Sequence, residues 1–211
     1  MENEKLKVFD ENRNPIGAAA RSDVHKFGLW HEVFHCWFIR REKGTDYIYL
    51  QIRSARKKDF PNLLDITAAG HLLVHETVSD GLREVVEEIG ITLSMNELVP
   101  LGVISYCSVS ESMVNKEFAH VFLYESNHSF DEFILQDEEV SGIIRLPFTS
   151  FHDLWLSGLE RVQIEGFQIQ EGCRLPIVKS VTKSAFVQYD PHYIEKVLTA
   201  IRDYLDVPKN N

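Results

Sequence analysis

Three glutamates, Glu84, Glu87 and Glu88, recur at spacings of three and four in the stretch Ala68–Ile91, AAGHLLVHETVSDGLREVVEEIGI. At roughly 100° of helical turn per residue, this spacing stacks the three carboxylates on one face of a helix. Leu82, Val85, Val86 and Ile89 fall at i, i+3, i+4 and i+7, and predict a buried opposite face. Gly90 is placed to end the helix, because glycine tolerates the left-handed conformation of a helix C-terminus. Carboxylates brought together repel unless a cation sits among them. A hard divalent ion that prefers oxygen ligands, Mg²⁺ or Mn²⁺, is the natural partner. The plain alternative is a solvated acidic face.

The elements around this stretch must hold it. Residues 5–21 read as two short strands around a turn at 11–15, and Ser22 is placed to cap a short helix reaching about Lys26. The runs EVFHCWFIR and YIYLQIR predict a hairpin joined by the charged loop Arg41–Asp46. A turn is expected from Met95 to Leu98, and LGVISYCSVS and FAHVFLYES are expected as antiparallel strands with SESMVNKE between them. Gln136–Glu139 reads as an acidic loop and Gly142–Pro147 as a strand. A short helix is expected from near Ser150, and an amphipathic helix from Pro191 to Leu205. Residues 160–189 show only irregular apolar runs. These elements alternate without βαβ units, which predicts an α/β fold with a mixed sheet and helices on both faces.

With 211 residues, 44% hydrophobic and 26% charged, the chain suits one domain with embellishments. Its net charge of −10 excludes a nucleic-acid polymer or an anionic membrane as the main partner. The N-terminal residues lack a signal-peptide core, and no apolar run is long enough to span a membrane. Cys36, Cys107 and Cys173 form no CxxC pair. They read as small buried residues in a reducing cytoplasm.

Other side chains could join the chemistry. Arg53, Arg56, Lys57 and Lys58 form a basic cluster able to clamp a diphosphate, Arg53 foremost, or to form a solvated loop. Glu117, Glu138 and Glu139 are candidate general bases or surface carboxylates. His25, His31 and His71 could be metal ligands or hydrogen-bonded structural residues, while His35 and His120 read as packed within strands. Trp30, Trp37 and Phe60 could stack on a substrate ring, with core packing the default for each.

GHLLVHET followed by REVVEEIG resembles the signature box of the Nudix hydrolases. That box runs Gly, five residues, Glu, seven residues, then Arg-Glu-aliphatic-x-Glu-Glu-x-Gly-aliphatic. Gly70, Glu76, Arg83, Glu84, Val85, Glu87, Glu88, Gly90 and Ile91 match it, but Thr77–Leu82 is one residue short. The resemblance implies an α/β/α sandwich in which the box is loop–helix–loop. It also implies Mg²⁺ or Mn²⁺ held by Glu84, Glu87, Glu88 and the carbonyl near Gly70, with Arg83 orienting the carboxylates and a general base such as Glu139 or Glu117. His75, where a small residue is usual, marks a loop altered for a particular substrate.

Residues 7–147 are also similar to the branch containing type 1 isopentenyl-diphosphate isomerases. There a Cys precedes Gly-His, and the metal site uses histidines with an E-x-E pair. Here the positions read Ala69 and Asn115-Lys116-Glu117, so the thiol and half the pair are missing, whereas His25, His31 and His71 lie in corresponding places.

The chain is therefore expected to be one Nudix domain, with an extension at 1–30, a core at 31–147 and an embellishment at 148–211. Its expected role is cleavage of a small-molecule diphosphate, with Arg53, Lys57 and His71 as substrate contacts. An isomerase-like enzyme and a non-catalytic ligand-binding domain are the alternatives. A homodimer is a further expectation of the resemblance.

Overall fold

The computed structural model describes residues 4–109 and 114–207. Its strands begin with β1 (Lys5–Phe9), β2 (Pro15–Ala20), β3 (Trp30–Glu42), β4 (Thr45–Arg53), β5 (Leu64–Ile66) and β6 (Ala68–His71). They continue with β7 (Val99–Val109), β8 (Val114–Glu125), β9 (Val140–Pro147), β10 (Arg161–Gln170) and β11 (Cys173–Thr182). The helices are α1 (Arg21–Phe27), α2 (Leu82–Ile89), α3 (Phe148–Leu156) and α4 (Pro191–Asp206).

All eleven strands of the described residues join one sheet, ordered β11-β10-β9-β4-β3-β1-β2, with β5 on β4, β6 and β8 on β3, and β7 on β8. The β3–β8 pair is parallel and the others are antiparallel, so the sheet is mixed as expected.

β3 reads as a nearly continuous apolar run because both of its faces are covered. Phe34, Cys36 and Phe38 pack with Val85 and Ile89 of α2, while Val33, Trp37 and Ile39 pack with α3 and α4 on the other side. This gives the expected helix–sheet–helix layering. On α4, Ile194, Val197, Leu198 and Ile201 are buried, and Asp190 caps the helix by accepting from the backbone N–H groups of His192 and Tyr193.

Several local expectations change. The loop Arg41–Asp46 is mostly strand: Arg41 pairs with Asp46 and Glu42 with Thr45, leaving Lys43 and Gly44 as a two-residue turn. Both have positive φ, 51° and 80°, which suits the twist of the flanking strands. Part of SESMVNKE lies in β8, and its positions 110–113 are outside the described residues. α1 starts at Arg21 with Ala20 at its N-cap, so Ser22 is inside the helix. α3 starts at Phe148, ahead of Ser150. Residues 161–182 form a regular hairpin. Cys107 and Cys173 are exposed, and only Cys36 is buried. On α2, Val86 is 43% exposed whereas Glu88 is buried, reversing the expected order of those neighbours. Among the described residues, no helix is long and apolar enough to cross a membrane.

Gly90 closes α2 with φ 73°, and its N–H donates to the carbonyl of Val86. A Cβ there would lie 2.6 Å from Cβ of Ile134. Gly90→Ala is expected to destabilise the fold by about 2 kcal/mol, since the strained backbone adds to the overlap. Urea unfolding checks this; an unchanged midpoint would contradict it.

Candidate functional site

α2 lies with its Glu84–Glu88 side against β6 and β4, beside a cavity of about 380 Å³. Burial of Glu88 follows from two donors that replace water. The side-chain amide of Gln51 on β4 and the backbone N–H of Ala69 on β6 both donate to its Oε2, each at 3.0 Å. Burial pushes Glu88 up to about 8 and Glu84 up to about 7, with the neighbouring carboxylates adding to the effect. Glu84 also sits where Gly70 has no side chain. A Cβ at position 70 would lie 2.1 Å from the Glu84 carboxyl carbon. The glycine is therefore a cradle for that carboxylate.

Glu87 is the outlier of the three, with a side chain 53% exposed at the cavity rim. Arg83 links them. Its Nη1 lies 2.7 Å from Glu84 Oε1 and donates to Glu87 Oε2 at 3.1 Å, while Nε donates to Glu76 Oε1 at 2.5 Å. Glu76 is thus tied to the helix despite the short loop. The connection tightens into a 3₁₀ turn, Val78–Gly81, started by a capping box between Thr77 and Asp80. Arg83 also donates to the carbonyl of His71 at 3.0 Å, fixing α2 to β6.

A second cluster borders the same cavity. His25, His31 and His71 bring their ligand atoms within 4.8 Å of one another. His31 Nδ1 lies 3.0 Å from the carbonyl of Leu29, which can only accept, so Nδ1 carries the proton and Nε2 is left with a lone pair. That buried Nε2 has no hydrogen-bond partner among the described residues. It faces Glu117 Oε1 at 3.8 Å, leaving two acceptors opposed. Glu117 is held by the Tyr106 hydroxyl and by Asn115 Nδ2. Burial lowers His25 and His31 to about 4 and His71 well below its ordinary value, so all three rings are neutral near pH 7. Neutral imidazoles with an unshared lone pair fit a metal ion.

The remaining expected residues divide. Lys57 lines the cavity in an ion pair with Glu139, and Ser54 stitches their two loops together by bonding the carbonyl of Asp137. Glu138 reaches Arg56 in an exposed pair. Arg53 borders the cavity, but its Nη1 donates to Asp65 at 2.7 Å and its Nε and Nη2 both donate to the carbonyl of Asp59. His75 is exposed and does not line the cavity. His35 bonds Tyr193 at 2.6 Å, and His120 bonds Glu32 at 3.0 Å, as partnered strand residues. Arg21, Asp65, Tyr106 and Tyr189 also line the cavity, although no motif or spacing singles them out as site residues. Only Tyr106 carried a signal, its place in a strand predicted to pair with the one bearing Glu117.

A model of the NUDIX domain matches residues 29–166. The chain belongs to the Nudix hydrolase family. An uncharacterised Nudix hydrolase of Clostridium acetobutylicum is 34% identical over 204 residues, covering 96% of this chain and 99% of that one. An isopentenyl-diphosphate Δ-isomerase of Photorhabdus laumondii is 29% identical over 57% of this chain and 66% of its own. The crystal structure of DR0079 from Deinococcus radiodurans superposes with a TM-score of 0.54 at 22% identity, over 72% of this chain and 86% of that one, and so shares the fold. Membership makes the chain a pyrophosphohydrolase-type enzyme of a family that generally uses a divalent metal.

The pKa shifts carry a stability consequence for this Nudix hydrolase. In chelator-treated protein, folded Glu88 holds its proton up to about 8, whereas an unfolded glutamate loses it near 4.5. Between those values the folded state binds more protons, so stability falls as pH rises through that window. Glu88→Gln is neutral throughout. In EDTA at pH 8 its melting temperature should exceed that of the wild type by roughly 10 °C, with the gap shrinking toward pH 5. Scanning fluorimetry that finds no gap at pH 8 would refute this.

Proposed function

We propose that this enzyme hydrolyses the diphosphate bond of a small metabolite in which diphosphate joins a second moiety, using Mg²⁺ or Mn²⁺ at Glu84 and Glu88. The supporting observation is the pair of carboxylates at the cavity, Glu88 buried and Glu84 partly buried, with Gly70 leaving room for Glu84 and two N–H donors held to a single oxygen of Glu88. Carboxylates so arranged accept a hard cation, with Glu87 and the Gly70 backbone at the rim as further oxygen donors. When bound, the ion polarises the phosphoanhydride and makes an attacking water more acidic.

The protein's own groups supply the rest. Arg83 holds Glu84, Glu87 and Glu76 in register, and acts as a positioning residue. Lys57 offers a point charge to the diphosphate. Glu139, its present partner, is the general base of this reading, since a phosphate arriving at Lys57 leaves that carboxylate free to take a proton from water. His25, His31, His71 and Glu117 would hold a second cation, for which Mn²⁺ suits both nitrogen and oxygen donors. His71 thus serves the metal rather than the phosphate. Ala69 stands where the isomerases have their thiol, which favours hydrolysis over isomerisation. Three unpaired cysteines suit a reducing cytoplasm.

Glu88→Gln should lower kcat on a diphosphate panel by at least about 100-fold at saturating Mg²⁺, through loss of a ligand charge. Glu139→Gln should lower kcat by about 100-fold with little change in KM. Phosphomonoester products, resolved and quantified by ion-exchange chromatography, check both. Near-normal turnover by Glu88→Gln would sink the metal assignment, and by Glu139→Gln the base assignment.

A further inference from the structure

Phe60 departs from the other aromatic residues singled out in the sequence. Trp37 is in the core and Trp30 stacks on Phe118, whereas Phe60 is 39% exposed and lines the cavity. Its φ of 53° lies in the left-handed region, an uncommon state for a bulky residue that persists only where the surroundings impose it.

The surroundings do impose it. Arg53 donates through Nε and Nη2 to the carbonyl of Asp59, at 3.2 and 2.9 Å. The backbone carbonyl of Arg53 accepts from the N–H of Asn62 at 3.1 Å, on the other side of Phe60. The same guanidinium donates to Asp65 at 2.7 Å, and Asp65 accepts from the Tyr189 hydroxyl at 2.5 Å. One partly buried arginine therefore brackets the loop on both sides of the exposed ring.

The remaining walls limit what the ring can meet. Val33, Ala69 and Val187 are the only aliphatic side chains among the described lining residues. A hydrocarbon tail would find little apolar surface there, while a flat polar heterocycle would find an aromatic face and many hydrogen-bonding groups. We infer that Phe60 is the stacking platform for a planar, nucleobase-like ring on the substrate's non-phosphate moiety, and that Arg53 is a positioning residue for that platform rather than a diphosphate contact. The inference rests on reading the cavity as a diphosphate site.

The test uses the full chain with Mg²⁺ and three probes: ADP-glucose, geranyl diphosphate and inorganic pyrophosphate. Phe60→Ala should raise KM for ADP-glucose about tenfold while kcat moves less than about twofold and KM for pyrophosphate is unaffected. Arg53→Lys should show the same split to a smaller degree. Phe60→Trp should keep the wild-type KM and gain a fluorescence quench by ADP-glucose that the wild type, with tryptophans at 30, 37 and 155, does not show. An unmoved KM for ADP-glucose, an equal rise for pyrophosphate, or preference for geranyl diphosphate would overturn the platform. If no probe is hydrolysed, the hydrolase reading of the cavity fails by itself. The Phe60→Trp titration then still decides the platform, with quenching supporting it and no quenching overturning it.

Discussion

Two carboxylates one helical turn apart, Glu88 buried and Glu84 largely withdrawn from water, set the terms for this molecule. Charge in that position is unfavourable unless donors or cations surround it, and burial raises both groups toward neutral pH. Each compensation comes from a different element: Gln51 from β4, the N–H of Ala69 from β6, and Arg83 from the helix itself. The sheet and helix therefore have to meet in one register for the carboxylates to be tolerated. The vacant side-chain position at Gly70 is part of the same fit, since any Cβ would occupy the space of the Glu84 carboxylate.

Arg83 is the hub through which a shortened loop is accommodated. By holding Glu76 while touching Glu84 and Glu87, it makes the loop before α2 and the carboxylates of α2 one hydrogen-bonded unit. The six-residue connection carries a 3₁₀ turn, whose Thr77–Asp80 capping box satisfies backbone donors locally. The geometry of the helix is thereby insulated from the length of its entrance.

What could be read in advance follows how local each signal is. α2 was legible because its period, its glycine stop and its charges lie within one short stretch. Val86 was misplaced because periodicity defines a stripe but not its edge, and the stripe is centred on Val85, Glu88 and Ile89. The hairpin β10–β11 was illegible for a different reason. Val162 and Ile164 face the α3–α4 side, while Phe167 faces the α2 side, so the apolar positions change parity along one strand. In the cavity, Asp65 and Tyr189 looked ordinary in sequence, and only the meeting of β5 with the segment before α4 makes them partners. Arg53 was recognised as a cation near the carboxylates, but its commitment to Asp59 and Asp65 depends on a loop conformation that no periodicity encodes.

The parallel pairing of β3 with β8 places His31 directly opposite Glu117. Those residues are far apart in the chain, and a parallel neighbour cannot be reached by a tight turn. His31 and Glu117 thus come together only after a large loop has closed, a slow and entropically opposed step in folding. No early local fragment can present that pair. A metal ion held between them would favour every form of the chain in which β3 and β8 have paired over those in which they have not.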